Sequence, residues 1–268
     1  ALIPEQLDRA KSIAELVFDP SGQFLAVAKE TSPEALGGLS RLRVYKLQKT
    51  PRSKTQMVLF RRLMGHSQAI TCATFLGRGA SSRLATGSRD GTVKIWDAQT
   101  GKELMTLKGH EGQVWSVAYS VDGQRIVTGG VDKTAKVWDA KTGTELMTLK
   151  GHDDGVWSAA YSPDGERILT AGFDWTAKVW DAKTGTEFLT LTGHEDEVSA
   201  AVYSPDGERI VTASIDGTAK VWDAQAGTEL FTLKGHDNLV RSAVYSPDGQ
   251  QILTGSWDKT AKVWEAQT

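Results

Sequence analysis

Apolar and polar positions along this chain fall into short bursts of strand length, separated by turn signals. Residues 151 to 192 show the pattern clearly. Val156-Trp-Ser-Ala-Ala-Tyr161 is a run of β-type residues, and Arg167-Ile-Leu-Thr170 is a second. Thr176-Ala-Lys-Val-Trp180 alternates as a third strand does, and Glu187-Phe-Leu-Thr-Leu191 makes a fourth. Between them, Ser162-Pro-Asp-Gly165 is a tight turn: Pro suits its second position, and Gly supplies positive φ. Further turns begin at Asp174 and at Asp181. No stretch of helical length carries a 3.6-residue period. The pattern predicts an all-β fold built from sets of four short antiparallel strands.

The same set recurs. Gly-His pairs stand at Gly109-His110, Gly151-His152, Gly193-His194 and Gly235-His236, a spacing of 42 residues, with an earlier pair at Gly65-His66. Each unit closes on Trp followed by an acid: Trp96-Asp97, Trp138-Asp139, Trp180-Asp181, Trp222-Asp223 and Trp264-Glu265. A fixed period of this length marks an array of small units, none of which buries a core alone. These residues resemble the WD-repeat family, strongly over about residues 57 to 268 and weakly over 11 to 47. The resemblance implies a β-propeller of four-stranded blades. It also implies that the Gly-His loops and the Asp turns share one end, the top, and that the Ser-Pro-Asp-Gly turns share the other.

Residues 13 to 47 read as a degenerate first unit, with Tyr45 where Trp belongs and no Gly-His. The expected division is an outer strand in 1–10 closing the last blade, then blades at 11–64, 65–108, 109–150, 151–192, 193–234 and 235–268. Leu2 to Leu7 would supply that closing strand, with Pro4 tolerable at an edge, and closure removes an exposed edge. Six blades are expected, with seven as the alternative if sequence or a partner supplies one more. A loop from Lys29 to Ser40 is expected on the top.

Composition narrows the picture. The net charge is −2, and the single cysteine, Cys72, allows no internal disulfide, which favours a reducing, cytoplasmic setting. No apolar run is long enough to span a membrane, and no signal-like start is present. Charge is uneven, however. From Ala35 to Arg89 there are eleven Lys or Arg and no acid, leaving −13 on the rest. Such a zone suits an acidic partner, a neighbouring domain or an anionic surface. Nucleic acid is the less favoured reading, because no aromatic platform for single strands accompanies the charge.

All five histidines belong to Gly-His pairs. By resemblance to the family, they join a buried network with one Thr, one Asp and one Trp per unit. The sets are His66, Thr86, Asp90, Trp96; His110, Thr128, Asp132, Trp138; His152, Thr170, Asp174, Trp180; His194, Thr212, Asp216, Trp222; and His236, Thr254, Asp258, Trp264. Donor and acceptor capacities suit such a chain. A catalytic triad needs an exposed nucleophile beside an oxyanion hole, and a trio repeated in every unit reads as scaffolding. Histidines 42 or 44 residues apart and a lone Cys do not match metal-ligand spacing, and no phosphate loop occurs. No cofactor, metal or catalytic residue is expected.

Function is expected where the repeats differ. The residue before each turn Asp reads Arg89, Val131, Phe173, Ile215, Trp257, and the residue five after each His reads Thr71, Trp115, Trp157, Ser199, Arg241. The resemblance puts these around the mouth of the channel. With Trp175, the residues Arg89, Trp115, Val131, Trp157, Phe173, Ile215, Arg241 and Trp257 form the candidate partner-binding set. Exposed Trp and Arg are typical binding hot spots. Phe173, Trp175 and Trp257, as turn residues, are expected to stand in solvent. The resulting expectation is a non-catalytic protein- or peptide-binding platform, a sensor or scaffold region of a larger, bacterial-looking chain. The alternative is nucleic-acid or anionic-surface binding through residues 35–89.

Overall fold

Strand pleat decides which residues of a repeat meet which neighbour. In residues 114–150, the strands Val114–Tyr119, Arg125–Gly130, Thr134–Asp139 and Glu145–Lys150 pair antiparallel in chain order. Ile126 stands opposite Trp138, and the next pair is Val127 opposite Val137. Successive side chains point to opposite faces, so the first pair meets the preceding sheet and the second the following one. The buried clusters obey this: Ile126 and Trp138 pack with Ala85, Val93, Ile95 and Leu107, whereas Val127 and Val137 pack with Val156, Ile168 and Trp180.

The computed structural model describes residues 13–18, 24–29, 41–49, 55–76 and 82–267. Within them lie six antiparallel sheets, five four-stranded and one three-stranded. The first comprises Ile13–Phe18, Phe24–Lys29, Arg41–Lys49 and Thr55–Leu63. The last comprises Val240–Tyr245, Gln251–Ser256 and Ala261–Glu265. The first strands of successive sheets approach one another, as in propeller blades around an axis. One buried cluster fills each contact between consecutive sheets. The closing strand expected of Leu2 to Leu7 and the loop expected before Ser40 lie outside the described residues.

Two local features hold the repeat in shape. In the Gly-His pairs, a Cβ on Gly65 or Gly109 would lie 2.9 Å from the Trp96 or Trp138 ring. Only glycine lets the backbone run this close to the indole. At the opposite end, Ser162 Oγ donates to Asp164 Oδ1 at 2.5 Å and accepts from the Arg167 amide, and Gly165 adopts φ +73°. Arg125 Nη1 reaches the Ala182 carbonyl of the next sheet at 2.6 Å, and Arg83 reaches Ala140 likewise at 3.2 Å. These straps add directional bonds to apolar packing worth about 1.5–3 kcal/mol per buried aliphatic side chain.

Candidate functional site

The top of each repeat is organised by one polar chain. Trp96 Nε1 donates to Thr86 Oγ1 at 2.9 Å, and that hydroxyl lies 2.8 Å from His66 Nε2. The indole only donates, so the hydroxyl accepts from it; the ionised Asp90 only accepts, and a neutral His66 ring whose proton faces Asp90 leaves Nε2 to accept from Thr86. The histidine then carries its proton on Nδ1 and donates it to Asp90 Oδ2 at 3.0 Å. The same three bonds join Trp138, Thr128, His110 and Asp132. They recur in Trp180, Thr170, His152 and Asp174, in Trp222, Thr212, His194 and Asp216, and in Trp264, Thr254, His236 and Asp258.

The Asp carboxylates close the chain. Asp174 Oδ2 also accepts the Asp153 amide at 3.0 Å, and Oδ1 accepts the Thr176 hydroxyl at 2.9 Å. Burial pushes this carboxyl up, but the bonds from His152, Thr176 and Asp153 outweigh it and bring the pKa to about 2. Asp90, Asp132, Asp216 and Asp258 are likewise held below the usual carboxylate range. Burial lowers His66 against the pull of Asp90, so the neutral ring is favoured there. Every one of these threonines is fully buried, which leaves no hydroxyl accessible to a substrate.

A second repeated cluster was not anticipated from the sequence. Lys94 Nζ lies 2.9 Å from both Glu103 carboxylate oxygens and from the Thr106 hydroxyl. Lys136, Lys178 and Lys220 make the same clamps to Glu145, Glu187 and Glu229. The signal was present in the chain: a Lys two before Trp96, Trp138, Trp180 and Trp222, and a Glu seven after each of these four. It needs cross-strand register to be recognised, because the partners sit on different strands.

The residue before each turn Asp meets the Gly-His loop in space. The amide of the residue before each turn Asp donates to the carbonyl three after the His. The pairs are Arg89 to Ala69, Val131 to Gln113, Phe173 to Gly155, Ile215 to Glu197 and Trp257 to Leu239. The Asp turn and the Gly-His loop therefore form one rim in each repeat. Inside that rim lies a cavity of about 440 Å³, walled by Thr71, Arg89, Trp115, Trp157, Ser199 and Arg241 among others. Trp157 in its wall gathers three ring contacts. The Arg241 guanidinium lies 3.8 Å from the indole centroid, Phe173 packs at 4.5 Å, and Trp115 stands edge-on at 5.9 Å. Ser199 is the intervening first-strand residue, and its small side chain turns to the Val240 and Ala213 carbonyls. Arg241 thus passes over it to reach Trp157. The Trp115 indole N–H is buried with no acceptor among the described residues.

The remaining candidates are distributed differently. Val131, Ile215, Trp175 and Trp257 are not part of that cavity wall. Trp175 and Trp257 stand in solvent, 51% and 66% exposed. Phe173 corrects the expectation of an exposed turn residue: it is half-buried against Trp157 and over Gly155. The reason is local. Gly155 carries no side chain, so the phenyl ring folds down into the space. Trp175 adopts φ +67° at a turn position that is left-handed in every one of these repeats, filled elsewhere by Gly91, Lys133, Gly217 and Lys259. A bulky residue in the left-handed region is strained by about 1–2 kcal/mol.

The comparisons with known proteins agree with this architecture. The family model described as WD domain, G-beta repeat matches residues 57–97, 101–139, 143–181, 185–223 and 227–265. Ribosome assembly protein 4 of Chaetomium thermophilum is 48% identical over 66 residues, 25% of this chain and 13% of that protein. Coronin-7 of Mus musculus is 33% identical over 120 residues, 44% of this chain and 12% of that protein. Mitogen-activated protein kinase kinase kinase A of Dictyostelium discoideum is 41% identical over 64 residues, 24% of this chain and 7% of that protein. The chain thus spans a small part of each relative's length, and none of these three gives support to the bacterial source expected from the repeats. Among the described residues, no helix is long and apolar enough to cross a membrane.

Proposed function

The chain belongs to the WD40 repeat family, and we propose that it is a non-catalytic platform that binds a protein or peptide at the top face. In this reading it serves as the sensor or scaffold region of a larger protein. One observation carries the reading. The repeats are almost the same except at the rim positions, and those positions supply both the channel-mouth cavity and two solvent-exposed tryptophans. Large aromatic residues left in water without a packing role are typical of partner contacts.

The basic zone supports the alternative less well. Of its arginines, Arg83 bonds the Ala140 carbonyl of the neighbouring sheet, and Arg89 lies in the wall of the top cavity. These two cations therefore do not share one surface.

The test uses Trp175→Glu combined with Trp257→Glu. Both side chains are exposed, so the double change leaves folding intact, whereas a charge at Phe173 would be forced against Trp157. Wild type and variant are compared by affinity capture at moderate and at high salt. Loss of the partner in the variant alone supports the top-face reading. Retention by both, with steep weakening in salt, would move function to the basic zone.

A further inference from the structure

We propose that the cavity at the channel mouth is a pocket for one acidic side chain of the partner segment, with Arg241 as the group that receives its carboxylate. This rests on the top-face reading and specifies the chemistry within it.

The wall of the cavity carries two charged side chains, Arg89 and Arg241, and no acid. Its other polar groups include the hydroxyls of Thr71, Ser158, Ser199 and Ser242. The Thr71 hydroxyl is occupied by the Val114 carbonyl, and that of Ser199 by Val240. These two are therefore weak competitors for a ligand.

Arg241 is in a different state. Its guanidinium is stacked on the Trp157 ring at 3.8 Å, and it forms no hydrogen bond with any described residue. Stacking engages the flat face and leaves the N–H groups at the edge free for a planar acceptor. A carboxylate matches that edge with two parallel bonds. The rotamer is already fixed by the stack, so little side-chain entropy is lost on binding. A half-buried guanidinium is also poorly compensated by water. Burial lowers the pKa of Arg241 against the opposing charge of Glu197.

Charge around the pocket limits the ligand. Glu197 is pushed up by burial and then by Asp196 and Asp154. A ligand at Arg241 therefore shares it with Glu197, which lies outside the wall. One negative charge is accommodated by Arg241, whereas a phosphate, with close to two charges, meets more repulsion. Trp115 and Trp157 offer apolar surface to the methylene groups that precede a carboxylate. A volume of about 440 Å³ holds one or two side chains.

The experiment uses three fluorescent heptapeptide libraries. Their central residue is Glu, Gln or phosphoserine, and the flanking positions are randomised. Each is equilibrated with the full chain as wild type, Arg241→Met, Arg241→Lys and the Trp175→Glu, Trp257→Glu double variant. The expected result is retention of the Glu library over the Gln library by at least about tenfold, the effect of one charged hydrogen-bonded pair. Arg241→Met keeps an apolar stem on Trp157 and should reduce Glu retention to the Gln level with an unchanged thermal midpoint. Arg241→Lys should retain part of the preference. If the Met variant does not fold, the Lys variant and the wild-type Glu-to-Gln ratio decide. Equal retention of Glu and Gln, with both lost in the double variant, overturns the acidic pocket and leaves the top face standing. Phosphoserine retained above Glu overturns it in favour of a dianion. A Glu preference that survives Arg241→Met overturns the assignment of the residue. Retention of no library above the double variant overturns this inference and the top-face reading together.

Discussion

The fourth and sixth sheets share long stretches of identical sequence and yet differ in burial. Ile168-Leu-Thr170 matches Ile252-Leu-Thr254, and Ala177-Lys-Val-Trp180 matches Ala261-Lys-Val-Trp264. Ile168 and Ile252 are both fully buried, because each faces a preceding sheet. Leu169 and Val179 are also fully buried, under Val198, Ala201, Ile210 and Trp222 of the fifth sheet. Their counterparts Leu253 and Val263 are 45% and 61% exposed. Identical residues thus contribute differently according to whether a following sheet lies over them. In a repeat array, the energy of a side chain belongs to the interface and not to the repeat.

The comparison can be broken most directly at the leucines. Leu169→Ala should cost about 2–5 kcal/mol, the loss of a buried side chain plus a cavity. Leu253→Ala should cost about 1 kcal/mol or less, as at a surface position. Urea unfolding of the two variants measures the gap. Equal costs would mean that the Leu253 face is covered in solution.

The polar chain offers the next test. Thr170→Val leaves the Trp180 indole and His152 Nε2 without partners in a fully buried setting, at a cost of about 2–3 kcal/mol. Thr254→Val should cost about half as much, since Trp264 is only half-buried and water can replace the lost bonds. Thermal unfolding at neutral pH distinguishes them.

Acid titration examines the same chain without changing its packing. The Asp174 carboxyl has a pKa of about 2 in the fold, below its ordinary value, so its contribution is complete above the unfolded value near 4. It is lost as pH falls toward 2, because the unfolded state takes up the proton first. His66, lowered by burial, acts in a higher window. Below about pH 6.5 the unfolded ring protonates before the folded one, so stability again falls with pH. Asp174→Asn should flatten the acid limb between pH 4 and 2 in a plot of unfolding free energy against pH. An unchanged limb would show that the carboxylate is not linked to folding.

The smallest effect should be the same in both sheets. Trp175 and Lys259 each adopt positive φ, +67° and +70°, at equivalent turn positions. Trp175→Gly and Lys259→Gly should each raise stability by about 1 kcal/mol, because this strain is local and independent of any neighbouring sheet. Unequal gains would show that the turns are coupled to packing after all.

Much of the architecture was readable along the chain. The 42-residue spacing and the bursts around Trp180 anticipated strands that the structure forms as Ala177–Asp181 and Glu187–Leu191. The pairing of His with Thr and Asp followed from resemblance, and the geometry then supplied its proton order. Other features were hidden. The contact of Arg241 with Trp157 joins residues 84 positions apart, across a third repeat whose Ser199 has to be small. The fold of Phe173 onto Trp157 depended on Gly155. Neither is visible from residue type at a single position.

What the sequence determined by itself was local: strand length, turn chemistry, alternation and the period, all set by the backbone preferences of neighbouring residues. It also placed chemical variety at the rim positions. The tertiary structure decided which faces are covered, since Leu169 and Leu253 stand in the same Ile-Leu-Thr setting and differ in burial. It also decided which rim residues share a cavity. Burial and cross-repeat contact are properties of the ordering of sheets around an axis, and no window of sequence contains that ordering.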